Sequence, residues 1–567
     1  MKTYDFVIVG AGAAGCVLAG RLTEDPSVSV LLLEAGHERR SPLLSIPAAE
    51  TILMGNPRYD WCFETAPDPT IDGRSVRIPR GRLLGGSNAI NGMIYVRGQA
   101  EDYDDWARLG NPGWSWDGVL PYFRSLERVT GIGGETRGRD GLIAVGPPRD
   151  RDELCDVFLA AAAKAGYPAN PDYNSGDQEG FGYYQVNHDG GRRSSALGTY
   201  LKLARLRPNL TLLTRAHVTG LRFSGTRCTG VTYVRDGETE RAGCAKEVIV
   251  SAGAVQSPQL LELSGIGSRD VLGGLGIPVV HHLPGVGENF RDHFAARLRW
   301  RVRRPITFNE RSRGLALARE VATYLTSRRG LLSLPIALGF GFVRSSPEET
   351  RPDIQFHFAP ASYGPGSSRR LDTAPGMTLG VYPLRPESSG SIHVRSRDPL
   401  APPEIRPRFL ESGMDRSRLV AGIRIAREIV ESPVLDPYRG DELTPGSGVR
   451  TDDELLAYAR AHGDTSYHPA GTCRMGDDPM AVVDHRLRVH GVEGLRVVDA
   501  SVMPTLVSGN TNAASLMIAE KGAAMILADH GCGGPHAAYE RESGAYERES
   551  AADERPGTGP HVTKDTT

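Results

Sequence analysis

His468, within TSYHPAGTCRMG (residues 465–476), is the residue best suited to moving a proton. An imidazole titrates near neutral pH, so it can take a proton from a reacting group and give it back. A metal-ligand role would need a second His or an acid at ligand spacing. The neighbouring Cys473 is isolated, so no metal site is expected. A hydrogen-bonded core histidine is the other option. The stretch alone does not choose between base and core; the choice rests on the chemistry that the remaining residues bring beside it.

A second set of residues is suited to holding a large anionic cofactor. YDFVIVGAGAAGCVLAGRL opens on an apolar strand, Tyr4 to Val9, and runs straight into Gly10-x-Gly12-x-x-Gly15. A helix follows, ending near Pro26, and a second strand, Val28 to Leu33, stops at Glu34. Strand, glycines, helix, strand and acid in that order make a dinucleotide fingerprint. Gly10 permits the tight turn, Gly12 lets a pyrophosphate reach the backbone, and Gly15 lets helix and strand pack closely. N–H groups at the helix start suit the phosphates, and Glu34 suits an adenosine ribose. The residues expected to hold the dinucleotide here are Gly10, Gly12, Ala13, Ala14, Gly15, Glu34 and Ala35. NAD and FAD both fit, and the N-terminal position in so long a chain favours FAD.

Two further glycine-rich segments are GRLLGGSNAINGMIYVRGQAEDYDDW (81–106) and GAVQSPQLLELSGIG (253–267). Gly81, Gly85, Gly86, Ser87, Asn91, Tyr95 and Gly98 in the first, and Gly253, Ser257, Pro258, Ser264, Gly265 and Gly267 in the second, match two signature patterns. Both belong to the glucose–methanol–choline (GMC) flavoprotein oxidoreductases. HPAGTCRMG and the closing SGNTNAASLMIAEK also resemble that family, so the likeness spans residues 3 to 530. It is nearest the choline dehydrogenase and alcohol dehydrogenase/oxidase branch.

The resemblance implies FAD, and adds Gly85, Ser87, Asn91, Gly92, Met93, Val218, Asp499, Ala500 and Thr511 to the cofactor site. It puts the Val218 backbone near the adenine and Asp499 near the ribityl chain. Some members attach FAD through a histidine just before the residue matching Asn91. Here that residue is Ile90, so non-covalent FAD is expected. The resemblance also implies that His468 and Asn512 flank flavin N5 on the substrate side. Oxidising an alcohol removes a hydroxyl proton and sends the carbinol hydride to N5. His468 suits the proton; Asn512 cannot accept one and would orient the hydroxyl. Ser508 to His530 reads as a capped helix with an apolar stripe, its positive end towards the flavin. Ser466, Tyr467, Trp61 and Phe63 are expected to wall the pocket.

The expected activity is FAD-dependent oxidation of a primary alcohol to an aldehyde, with a quinone-type acceptor ahead of O2. The same family includes a cyanohydrin lyase and a light-driven fatty-acid decarboxylase; the His468/Asn512 pair argues against both, and the lyase stays as the alternative beside an O2-using oxidase. At 567 residues with 40% apolar and 24% charged, the chain suits two intimately joined soluble domains. A net charge of -2 gives no overall attraction to nucleic acid or an anionic membrane. Seven scattered cysteines without a CxxC pair read as reduced cytoplasmic thiols. No apolar run reaches membrane-spanning length, so no integral membrane segment is expected.

The fold class is α/β, with a discontinuous Rossmann-like FAD-binding domain and a substrate domain built on an antiparallel sheet backed by helices. The FAD-binding segments are 1–154, 206–295 and 465–532, the last carrying the histidine. Residues 296–464 are the main substrate-binding segment and 155–205 contribute to it. Within it, 296–303, 353–359, 377–385 and 391–397 alternate apolar and polar as half-buried strands, and 418–432 and 452–463 read as amphipathic helices. The tail, 533–567, repeats AYERES and lacks Leu, Ile, Phe and Met from Pro535 onward, so disorder is expected.

Overall fold

The computed structural model describes residues 1–38, 41–364 and 370–532; the expectation for the tail lies outside them. Thr3–Val9 is a strand that turns at Gly10 into the helix Ala13–Leu22, and Val30–Glu34 returns beside it. These strands pair in parallel, and Glu238–Val250 joins the other edge of Thr3–Val9, also in parallel. Leu210–Thr214 and Leu495–Val497 add further parallel strands. An antiparallel meander, Ala216–Ser224 and Arg227–Arg235, completes a seven-stranded sheet. Val30–Glu34 is buried throughout, as a parallel strand covered on both faces must be.

The helix Asn512–Asp529 packs against Ala13–Leu22. Its residues 513 to 527 are buried apart from Ser515, so it is covered all round rather than along one stripe, with the buried Glu520 paired to Arg21. No side chain caps its first turn. Ser508 instead donates to Asp102 at 2.8 Å, and Asn510 and Asn512 are engaged across the cavity. The expected capping is absent because those polar groups have stronger calls on them elsewhere.

The second sheet is antiparallel, in the order Arg439–Thr444, Phe294–Val302, Gly376–Pro383, Ile354–Ala359, Gly339–Val343, Gly180–Tyr183. Gly376–Pro383 is buried at every residue because both its faces are covered, one of them by the helix Gly413–Val430. The expected strand at 391–397 forms differently: only Ser391–His393 is extended, paired with Glu404–Arg406 apart from the main sheet.

Candidate active site

One cavity, about 430 Å³, runs between the two sheets. Gly10, Gly12, Ala13, Ala14, Glu34, Ala35 and Val218 line one stretch of it, and Ser87, Asn91, Gly92, Met93, Asp499, Ala500 and Thr511 another. His468, Asn510, Asn512, Ser466 and Tyr467 also line it, with Arg297, His357 and Tyr382 from the second sheet. Gly15 and Gly85 stand behind the wall. A Cβ on Gly15 would lie 1.9 Å from the Gly10 carbonyl oxygen, and one on Gly85 would meet Ala89 and Leu197. Trp61 lines the cavity, and Phe63 is not among its lining residues. Trp61 packs edge-on to His217, next to Val218, with Phe63 stacked behind it. Large aromatics near a site are often held by other packing, and here Arg82 covers the Trp61 ring at 4.3 Å.

The fingerprint residues are held by their own backbone. Glu34 accepts from Ala11 N–H at 3.0 Å and Gly36 N–H at 2.7 Å, and burial pushes its carboxyl up to about 7. Asp499 accepts from Gly253 N–H and the Ser257 hydroxyl with one oxygen and from Ser501 N–H with the other. It thereby ties two returning segments of the chain together. Asn91 accepts from Met93 N–H at 3.0 Å and from Arg193 at 2.7 Å.

His468 is buried, its backbone N–H donating to Asp292 at 2.8 Å. Its Nδ1 lies 2.9 Å from Nδ1 of His293, and the Nε2 of His293 lies 2.7 Å from the Leu384 carbonyl. A carbonyl can only accept, so His293 carries its proton on Nε2. Burial lowers His293 to about 4, so this ring is neutral and its Nδ1 is an acceptor. The proton between the two rings therefore belongs to His468 Nδ1. Burial, then His293 and His357, hold His468 well below the usual 6.5. The result is a neutral imidazole whose Nε2 lone pair faces the cavity at neutral pH.

That lone pair is met by Asn510, whose Nδ2 lies 3.0 Å away. Asn512, expected there from the sequence, is turned aside: its Oδ1 accepts from Asn88 at 2.8 Å. Two residues apart at a helix entry point in different directions, so only one of them can face His468. Behind Asn510, Gln355 donates to the Tyr184 hydroxyl and accepts from Tyr382, whose hydroxyl lies 2.8 Å from His357 Nε2. Sequence reading did not single out His293, Gln355 or Tyr382, and took Asn510 only as a residue at the start of the last helix.

Family models for the N- and C-terminal parts of the GMC oxidoreductases match residues 4–295 and 386–519. The chain belongs to the GMC oxidoreductase family. It is 42% identical over 527 residues to "Oxygen-dependent choline dehydrogenase 1" of Chromohalobacter salexigens, covering 92% of this chain and 94% of that one. It is 41% identical over 531 residues to "Alcohol dehydrogenase [acceptor]" of Pseudomonas putida, covering 92% and 96%. Among solved structures, pyridoxine 4-oxidase from Mesorbium loti superposes with a TM-score of 0.84 at 33% identity, covering 92% and 98%. As a GMC oxidoreductase the protein acts on CH–OH groups with FAD as its flavin.

The cavity fits that cofactor. A Cβ on Gly12 would meet nothing, so the backbone there opens directly onto the cavity. The Asn512 Nδ2 and the Ser251 hydroxyl line the cavity as buried polar groups without a partner among the described residues, and such groups ask for an acceptor from a ligand. Among the described residues no group of three or more His, Cys, Asp or Glu could hold a metal, and no helix is long and apolar enough to cross a membrane.

Proposed function

We propose that the protein oxidises a primary alcohol to its aldehyde, with His468 as the base and FAD bound non-covalently. The observation that carries this is the fixed tautomer: Leu384 sets His293, His293 sets His468, and the Nε2 lone pair is left facing the cavity. FAD, when bound, accepts the carbinol hydride. The substrate hydroxyl takes the place of the Asn510 amide at Nε2 and gives up its proton there. The amide, held nearby, then donates to the developing alkoxide. Buried Ile90 offers no nucleophile to the flavin, which supports non-covalent binding. A quinone-type acceptor is the reading kept for the second half-reaction. The seven free thiols support a reducing, cytoplasmic setting.

The division between Asn510 and Asn512 is testable. Asn510→Ala should lower the rate of alcohol-driven flavin reduction by about 100-fold, while Asn512→Ala should act mainly on flavin affinity. His293 is a positioning residue. His293→Phe should cost about tenfold or more in kcat with little change in KM, and should shift the acid limb of the pH profile. Asparagine at 293 should restore much of the rate, because its carbonyl can accept the His468 Nδ1–H. An unshifted pH profile in His293→Phe would reduce that residue to simple packing.

The substrate's charge follows from the wall that the second sheet supplies. Ala295, Arg297, His357, Ala359, Thr378, Gly380 and Tyr382 line the cavity there, and none is a carboxylate; Glu50 lines the cavity beside Gly92, where its charge acts on the buried Arg193. Arg297 keeps its charge beside Asp464 at 3.6 Å. Burial, then Arg297, holds His357 neutral, at about 3. A quaternary ammonium prefers carboxylates and open aromatic faces over a guanidinium. The reading is therefore a neutral or anionic alcohol, although relatives carry the name choline dehydrogenase. The neutral isostere 3,3-dimethylbutan-1-ol should exceed choline in kcat/KM by at least about tenfold, and Arg297→Gln should narrow the gap. Preference for choline would refute the charge assignment while leaving the base assignment standing.

A further inference from the structure

The helix Gly314–Ser327 turns its apolar side outward. Leu315 is 90% exposed, Leu325 64% and Val321 37%, and Ala318 and Ala322 between them are also exposed. At 3.6 residues per turn, 315, 318, 322 and 325 form one stripe. The inner side is anchored by polar groups. The buried Tyr324 donates to the Gly191 carbonyl at 3.1 Å, and Glu320 accepts from Arg311 at 2.9 Å and from Leu331 N–H at 2.7 Å. This reverses the usual pattern of a surface helix, and an apolar face left in water marks a contact surface.

The margins of the stripe are basic. Arg319 lies four residues after Leu315, on the same side. Arg328 and Arg329 close the helix, with Arg328 over the Tyr324 ring at 5.0 Å. Arg149 and Arg192 approach the same end, the first beside Arg328 at Gly191 and the second close enough to act on Tyr324. The acids set among them are Asp150, paired with Arg329 at 2.8 Å, and Asp189, opposite Arg192 and paired with Arg128 at 3.0 Å. A net charge of -2 for the whole chain thus hides a local positive surface.

The position adds a reason for the contact. The helix packs on the turn Leu331–Ser333, which also meets Pro47–Ala49. Just beyond these two turns, Ile336, Ala337, Thr51 and Met54 line the cavity. Ile52, 57% exposed, stands on the same rim.

We infer that this face docks on an anionic lipid bilayer, the helix lying in the interface and the cavity rim next to the acyl boundary. An apolar stripe edged by arginines is what such a surface binds: leucines enter the acyl boundary and guanidiniums meet the headgroups. A second copy docked through the same stripe would set arginines against arginines, which disfavours it. Docking would let an apolar alcohol or acceptor pass between lipid and cavity without crossing water.

The test is vesicle flotation of the FAD-loaded full chain. One set of vesicles is phosphatidylcholine alone; the other carries about one-third phosphatidylglycerol. The protein should float with the anionic set and much less with the neutral set, and high salt should release it. The double variant Leu315→Gln, Leu325→Gln should lose at least about tenfold in vesicle affinity. Its thermal midpoint and its turnover with a soluble acceptor should stay unchanged, since both leucines are exposed. Wild-type protein that fails to float with either set, or a double variant that floats like wild type, overturns the inference. So does a concentration-dependent dimer that the double variant abolishes, which would give the face to a second copy.

Discussion

His468→Ala should keep its FAD and lose about 10³-fold in the rate at which an alcohol reduces it. The size follows from the arrangement. A neutral imidazole with its lone pair on Nε2 is ready to accept a proton, and the hydrogen bonds through His293 to Leu384 hold that tautomer in place. Alanine removes the acceptor, and the neighbouring Asn510 cannot take a proton. Because burial holds His468 well below 6.5, the wild-type rate should be level through neutral pH. It should fall only as the acid side is entered, when the ring becomes protonated and its lone pair is lost. The alanine variant should lack that acid limb. Stopped-flow flavin reduction across pH checks both statements, and a variant with wild-type rates removes His468 from the chemistry.

The second large effect is expected at Gly15. A Cβ there would lie 1.9 Å from the Gly10 carbonyl oxygen and 3.5 Å from Ile8. Gly10 is itself held at φ +97°, with Ser251 and Ala252 filling the place a Cβ would take. The turn cannot yield without moving the helix Ala13–Leu22 away from the sheet. That shift would pull the helix start from the cavity wall and loosen Glu34, which is anchored to Ala11 N–H. Gly15→Ala should therefore be purified largely without flavin and melt well below the wild type, since overpacking costs about 1–3 kcal/mol before any loss of ligand. Absorbance ratio and calorimetry report the two losses. In the wild type, denaturation should release the flavin into the supernatant, as non-covalent binding requires.

How far the sequence carried the reading differs between cofactor and chemistry. The dinucleotide end was legible because backbone writes it: Gly10 and Gly15 are demanded by a tight turn and a close approach that allow no side chain, and Gly12 leaves its backbone open to the cavity. Glu34 follows from its place at the end of a strand. His468 was legible for the opposite reason, as one titratable group in a glycine- and proline-bounded turn. Its partners were not. His293 reaches it from 175 residues away, and no local pattern announces such a contact. Asn510 and Asn512 differ by a turn of the backbone at a helix entry, below what spacing alone resolves. The antiparallel strands were found where burial is one-sided, as in Phe294–Val302. They went unread in Gly339–Val343, where burial is complete and the period of two disappears.

The most direct measurement is anaerobic mixing of the purified yellow protein with a panel of primary alcohols, neutral and anionic. Loss of the oxidised-flavin absorbance, with one aldehyde formed per flavin reduced, is the expected result. A flavin that stays oxidised across the whole panel would contradict the assignment of this site to alcohol oxidation.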